Sequence, residues 1–466
     1  MSNRLAINGR KEVADFSMAR GDALQQYLDR MVEVSRAPGI CVAISVDGRR
    51  HYFSSGRQAV DNACPIPQET QFELGCLAKT LTSVVALELA VRGNLDLNAP
   101  IGRYISELAD DVKGEEITVR HLLSHAAGYC AVKVLGDSAA DVSWESLIEC
   151  VRKAPSLFQP GTVFNYDHVS GVLLGRIVET VTGQPALRVI DQILFDPLSI
   201  STFDDKGICL AIGHEPKQGT REFTRASSTR FPDILGSSVS DKALSVDELL
   251  SIAELLISGK SPLTGLQVLS AGTMTMLSER FIVLPKFLGG RQRDTLPSAY
   301  GPGLAIFDSE VRGSDGMGVG QNLTLRFCRA RRVAIAAGVN ASGTRVPFVL
   351  TNSVLRDLGL VRKDPAGQTA SPLPFGFDPM EISGRYVGAA DTHIEISRTR
   401  TRISISVHRS GSEGTVAVLS GTIYDGSALT LDERQSSVSG IAFFADPASG
   451  VPCIQIGLHA YKRFDS

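Results

Sequence analysis

Residues 72–80 read FELGCLAKT. From Cys76 the chain runs on as CLAKTLTSVVALELAVRG (76–93), with one apolar face and Gly93 placed to cap the C-terminal end, so the spacing predicts a helix. Cys76 and Lys79 lie three apart, on one face and within a turn of each other. A helix N-terminus favours an anion and a nearby ammonium does the same, so this arrangement suits a Cys76 thiolate. A desolvated Lys79 would instead be neutral and take the thiol proton. Alone the tetrad is weak, because a buried cysteine packed as a small apolar residue beside a solvated lysine matches it too.

Outward from that helix, residues 20–36 have helical periodicity. Residues 39–46 (GICVAISV) read as a strand that turns at Asp47-Gly48 into a partner over 50–54. Further helices fit 118–124, 143–153, 168–182 and 245–258, and strands fit 304–307, 323–328 and 333–339 before a closing helix over 346–360. Strands at both ends of a region with helices between them predict an α+β fold: an antiparallel sheet flanked by helices, with an inserted helical lobe. Residues 363–379 (KDPAGQTASPLPFGFDP) hold four prolines and two glycines without periodicity and read as a linker. Beyond it, HIEISRT, RISISVH and IQIGLHA alternate apolar and polar residues, which predicts a small all-β module, barrel-like, over 380–466. The expected organisation is therefore a domain over 1–362, the linker over 363–379 and a β domain over 380–466.

The chain has 466 residues, 43% of them hydrophobic and 21% charged, and a formal net charge of -3. That balance is globular and supplies no basic surplus for nucleic acid or a membrane surface. The N-terminal MSNRLAINGRKEVADFSMARGD has no apolar core of an export signal, and no stretch approaches the ~20 apolar residues of a membrane span. The eight cysteines are scattered, without metal-site spacing. Reduced thiols and a cytoplasmic location are the expectation. No cofactor or metal is expected. His121 and His125 lie four apart, but no glutamate stands between them at metalloprotease spacing. The single tryptophan, Trp144, reads as core or pocket wall.

The segment 72–80 resembles the nucleophile motif of the serine β-lactamase, penicillin-binding protein and related esterase superfamily, in which Ser-x-x-Lys opens the central helix. GNLDLNAPIGRYI (93–105) and ITVRHLLSHAAG (117–128) are similar to the segments that follow this helix in class C-like members. PGTVFNYDHVSGVLLGRIVETVTGQP (160–185) resembles the segment carrying the family's Tyr-x-Asn motif. SSVSDKALSVDELLSIAELL (237–256) and QVLSAGTMTML (267–277) match weaker signatures. Several motifs in family order over residues 20–360 are far more specific than any one of them. The resemblance implies a β-lactamase/transpeptidase-like fold and a nucleophile at Cys76. Tyr166 then acts with Lys79 as general base and acid. His168 falls on the family's asparagine, placed to bond Lys79 or substrate or to pair with Cys76; a packing histidine is the alternative. The third motif aligns best with Ser314, Asp315 and Gly316 on an edge strand, a glycine-rich turn being the alternative. The implied oxyanion hole is the backbone N–H groups of Cys76 and Met317.

Three positions depart from the family pattern: Cys76 for serine, His168 for asparagine and Ser314 for the cation. The missing cation disfavours carboxylate-bearing β-lactams and D-Ala-D-Ala peptides, and leaves Asp315 to hold Lys79 or meet a substrate amine. A thioester acyl-enzyme reacts readily with amines. The expected function is an acyltransferase moving an acyl group from a thioester or activated ester to an amine or alcohol, as in natural-product biosynthesis. The alternatives are an esterase, amidase or thioesterase, and a non-catalytic binding or scaffold protein. The expected partners are small-molecule donor and acceptor, with an acyl carrier protein as a candidate donor. The β module is open to covering the site mouth, docking a carrier or forming a homodimer.

Overall fold

Gly39–Val46 and Val333–Val339 are buried along their whole length, because their sheet is covered on both faces and alternation has no use there. They pair antiparallel, Ile40 opposite Val339 and Val46 opposite Val333. A computed structural model describes residues 18–130, 143–201, 209–227, 242–285, 287, 296–307, 310–361, 371–372, 382–388, 392–399, 402–409, 415–424, 428–431 and 441–464. Among these, the first sheet runs in the order Asn62–Pro65, Arg49–Ala59, Gly39–Val46, Val333–Val339, Gln321–Cys328, Val311–Gly318, Ala305–Ile306, Ala299–Tyr300, Ile282–Val283. Neighbours in it are antiparallel throughout.

The two faces of this sheet build two cores. Ile40, Val42, Ile44, Ile335 and Ala337 meet the terminal helices Met18–Ser35 and Val346–Asp357. Cys41, Ala43, Leu323, Leu325 and Phe327 meet the helical lobe. At the centre of the lobe lies the helix Ala78–Val91, buried on nearly every side. Each fully buried Leu or Val on it contributes roughly 1.5–3 kcal/mol. Its buried Glu88 accepts from Ser270 N–H at 3.0 Å and Thr273 Oγ1 at 2.7 Å. Helix Val246–Ser258 begins with a capping box in which Ser245 and Glu248 satisfy each other's N–H groups. Gly338 lets Phe72 pack closely on the sheet: a Cβ there would stand 2.6 Å from the Phe72 ring.

The expected α+β architecture with an inserted helical lobe is the one that forms. The predicted strand over 39–46 and the strand over 333–339 have these bounds in the structure. Of the glycine-rich stretch 313–320, residues 313–318 belong to the strand Val311–Gly318, and Val319 and Gly320 form the turn that follows it. The central helix begins two residues later than read, after a single 3₁₀ turn, Gly75–Leu77, that carries Cys76.

A second antiparallel sheet follows the order Ser371–Pro372, Ala428–Leu431, Thr415–Tyr424, Arg402–Arg409, Thr392–Arg398, Gly384–Val387, His459–Phe464, Pro452–Ile456, Ile441–Ala445. Among the described residues its two end strands do not pair, so the ladder is open where a barrel-like module was expected. Ile394, Ile396, Ile403, Ile405, Phe443 and Ile454 fill its core. Of the linker read over 363–379, Ser371 and Pro372 pair with Ala428–Leu431, and the rest lies outside the described residues. The N-terminal segment through residue 17 and residues 237–241 also lie outside them. Among the described residues no helix is long and apolar enough to cross a membrane.

Candidate active site

The backbone, more than any side chain, fixes the position of Cys76. Gly75 has φ +48, and a Cβ on it would stand 2.1 Å from the carbonyl oxygen of Met317. A Cβ on Gly316 would stand 2.2 Å from the carbonyl oxygen of Leu74. The turn bearing Cys76 and the strand bearing the third motif therefore touch backbone to backbone, which only glycine at 75 and 316 permits. Glu73 ties the two together: its Oε2 accepts from Val319 N–H at 2.7 Å, and its own N–H donates to Gln321 Oε1 at 3.1 Å.

Lys79 follows on the same face of the helix. Its stem crosses Gly171, where a Cβ would lie 2.8 Å from Lys79 Cγ. Lys79 Nζ stands 3.3 Å from His168 Nδ1 and 5.5 Å from the centre of the Tyr166 ring. Cys76, Lys79, Tyr166 and His168, predicted from two distant motifs, thus form one cluster. Burial alone would raise the Cys76 thiol. The Lys79 charge, then a hydrogen bond and charge from His168 and a hydrogen bond from Tyr166, outweigh it and bring the thiol down to about 6. By contrast, burial pushes Cys41 and Cys453 up to about 12. None of the eight cysteines is in a disulfide. Burial raises the Tyr166 phenol well above its ordinary range, and the Cys76 thiolate and Tyr300 add to the effect. Tyr166 is therefore a neutral donor facing an anionic sulfur.

Behind Tyr166 lies a buried polar network that the sequence did not disclose. Asp167 accepts from Ser170 N–H at 2.5 Å, Ser170 Oγ at 2.7 Å and Tyr129 Oη at 3.1 Å. Burial works to raise this carboxyl, but contacts from His125 and Ser170 hold it below its ordinary value. His125 sits 3.4 Å from Asp167 and packs its ring 4.4 Å from that of Tyr166. Burial holds His125 below its ordinary value, so it is a neutral imidazole. His121, its neighbour in the sequence pattern, accepts the Thr118 N–H at 3.1 Å as part of a helix cap. The pair therefore serves two separate structural purposes. Trp144 donates to Glu107 at 2.6 Å, away from this cluster.

The third motif divides between the faces of its strand. Gly316 abuts the Cys76 turn, and Ser314 shares its side by alternation. Asp315 points to the other face. There Arg326 grips it with two bonds, at 2.7 and 3.0 Å, and Thr324 donates to it at 2.7 Å. Arg326 is 2% exposed and stacks on Phe307 at 4.1 Å. This corrects the expectation for Asp315: it holds Arg326, not Lys79, and is not free for a substrate amine. The expected absence of a cation at 314 has a counterpart in Arg326, whose charge Asp315 already balances.

The second sheet reaches the same cluster. The turn before His459 places the Leu458 carbonyl where it accepts Tyr166 N–H at 2.9 Å, and Asn165 Oδ1 accepts Ala460 N–H at 3.1 Å. The His459 ring stands edge-on to Tyr166, with centres 6.4 Å apart. Lys462 donates to the Leu157 carbonyl at 3.1 Å and pairs with Asp446 at 2.7 Å. The strand His459–Phe464 and the turn before it thus hold the segment that carries Tyr166.

A family model described as Beta-lactamase matches residues 24–205. Penicillin-binding protein 4 of Amycolatopsis lactamdurans is 24% identical over 378 residues, covering 78% of this chain and 96% of that protein. Esterase EstB of Burkholderia gladioli is 30% identical over 197 residues, covering 38% of this chain and 49% of the esterase. The chain spans about half the length of the curated β-lactamases and esterase it matches. Among solved structures, SurE superposes with a TM-score of 0.72 at 20% identity, covering 96% of this chain and 99% of SurE. The match to SurE includes the C-terminal sheet, and at this identity it establishes the fold alone.

Proposed function

Because the chain belongs to the β-lactamase/transpeptidase-like family, we propose that it forms a covalent acyl-enzyme on Cys76 and passes the acyl group to an amine or alcohol. One observation carries this reading: Lys79, Tyr166 and His168 converge beside Cys76, with Lys79 Nζ 3.3 Å from His168 Nδ1 and 5.5 Å from the centre of the Tyr166 ring, a setting that lowers the thiol and favours the thiolate. The thiolate attacks the carbonyl carbon of a thioester or activated ester, and the C=O π electrons move to oxygen. The N–H groups of Cys76 and Met317 receive that oxyanion, a reading supported by the close approach of the Gly75 and Met317 backbones. Collapse re-forms the C=O bond and expels the donor's thiolate or alkoxide, which takes a proton from the Lys79–Tyr166–His168 group. The incoming amine then attacks the S-acyl carbon and gives up its proton to the same group. An amide forms and the Cys76 thiolate is restored.

The substrate end follows from charge. Ser314, Asp315 and Gly316 carry no cation, and Arg326 on the neighbouring strand is balanced by Asp315, so the third-motif positions themselves supply no free positive charge to anchor a carboxylate. This favours an uncharged acyl donor terminus, with a carrier-bound thioester as one such donor, over a penicillin-like carboxylate. Eight cysteines outside any disulfide are in keeping with a reducing compartment. An octameric homologue of Pyrococcus abyssi, matched at TM-score 0.63, favours association of copies, which sedimentation would measure.

The second reading is hydrolysis, with water as acceptor, and the names of relatives favour it: an esterase from Burkholderia gladioli and a D-amino acid amidase from Ochrobactrum anthropi. The test is partition. The protein is acylated with a panel of acyl thioesters, and the decay of the adduct mass is followed with and without amines. Discharge that rises with amine concentration and yields the amide supports transfer. Discharge at the same rate in water alone supports the hydrolase. If no donor gives an adduct, both readings fail.

A further inference from the structure

Far along the chain from Cys76, two antiparallel strands of the C-terminal sheet, Thr392–Arg398 and Arg402–Arg409, place His393 directly opposite His408. Ile394, Ile396, Ile403 and Ile405 point into the core of that sheet, so alternation sends His393, Glu395 and His408 to the other side. The two imidazoles lie parallel, their centres 4.8 Å apart and their planes 9° from parallel. Glu395 closes the group: its Oε1 is 3.8 Å from His393 Nε2 and its Oε2 is 3.6 Å from His408 Nε2. A register shift between Val407 and His408 on the flank facing Thr415–Tyr424 marks the place where the strand is bent to aim this side chain.

The spacing is wrong for hydrogen bonds and close to right for a shared ion. Contacts of 3.6 and 3.8 Å are too long for N–H···O bonds, and His408 Nε2 is buried from solvent without a hydrogen-bond partner. Three ligand atoms about 2.0–2.2 Å from one tetrahedral ion stand roughly 3.3–3.5 Å apart. The three atoms here already lie within 4.8 Å of one another, so small side-chain rotations complete the geometry. Two imidazoles and one carboxylate select a borderline ion such as zinc over magnesium or calcium, which take oxygen ligands.

We propose that His393, Glu395 and His408 form a zinc-class divalent metal site that clips two strands of the C-terminal sheet together and leaves one coordination position open to solvent or to an exogenous ligand. The site is independent of the Cys76 chemistry, so neither reading depends on the other.

The test uses the full chain, treated with chelator and with its thiols blocked by iodoacetamide, so that cysteines cannot bind the probe. Zinc chloride is titrated by calorimetry, and cobalt chloride is followed by visible absorption. Wild type is expected to take up one zinc per chain, show a tetrahedral cobalt spectrum without thiolate charge-transfer bands, and ignore magnesium. His393→Ala and His408→Ala are expected to lose that equivalent. Glu395→Gln, at the most exposed position of the three, keeps the fold and is expected to weaken binding by about 10-fold or more, since even outer partners of metal ligands contribute that much. No saturable zinc binding in wild type, or equal binding in wild type and all three variants, overturns the proposal.

Discussion

Replacing Lys79 by Met removes the charge that does most to offset the burial of Cys76, at nearly constant side-chain volume. The thiol stands at about 6 against an ordinary value of 9.0, with burial acting to raise it and Lys79 the strongest influence lowering it. Without Lys79 the balance tips back towards burial, and the thiol returns to the neighbourhood of its ordinary value or above. At pH 7 the thiolate fraction then falls from about 90% to about 1%. The rate at a single pH understates this change. A thiolate of higher pKa is intrinsically more nucleophilic, by roughly 15–30-fold over three pKa units, which leaves a net loss of only about 3- to 6-fold at pH 7. The decisive assay is therefore the midpoint of thiolate ultraviolet absorbance, or of alkylation rate, against pH. Wild type should lose reactivity as pH falls through about 6, because the depressed group is protonated there. Lys79→Met should move that midpoint up by two units or more. A wild-type midpoint near 9, or a variant midpoint that does not move, would refute the reasoning.

Tyr166→Phe deletes the donor facing the sulfur and should slow acylation about 10²–10⁴-fold with little change in donor affinity, read by single-turnover kinetics. His168→Asn removes one hydrogen bond and one charge from the thiolate and should raise the alkylation midpoint by less than Lys79→Met does. Asp315→Asn leaves the buried Arg326 guanidinium unbalanced; because Asp315 itself is 41% exposed and screened by solvent, the expected cost in denaturant unfolding is about 1–3 kcal/mol, whereas a free, substrate-facing Asp315 would cost almost nothing. Asn165→Ala strands the Ala460 N–H and should cost about 1–3 kcal/mol; if the C-terminal strands hold the Tyr166 segment, it should also lower the acylation rate.

How much of this was legible in the sequence depended on range. GICVAISV could be bounded to the residue because a strand buried on both faces is a continuous apolar run between turn signals. Cys76 and Lys79 were readable because helical spacing alone brings them together. Tyr166 and His168 could be added only through the resemblance, since 89 residues separate Lys79 from His168. Asp315 was misjudged because its role depends on strand parity: one residue along, Ser314 and Gly316 face the nucleophile turn, and Asp315 faces Arg326 instead. Arg326 gave no signal at all, since an arginine in a strand buried along its whole length is intelligible only when its partner is seen. The approach of Leu458 and His459 to Tyr166 joins residues almost three hundred positions apart, and no local pattern encodes that.

The most direct test of the central claim is to locate the acyl group. The protein is incubated with an acyl thioester, quenched in acid, digested and sequenced by tandem mass spectrometry. The acyl mass should lie on Cys76, be absent from the buried Cys41 and Cys453, and disappear in Cys76→Ala. An acyl group carried on any other residue, or turnover that persists in Cys76→Ala, would contradict it.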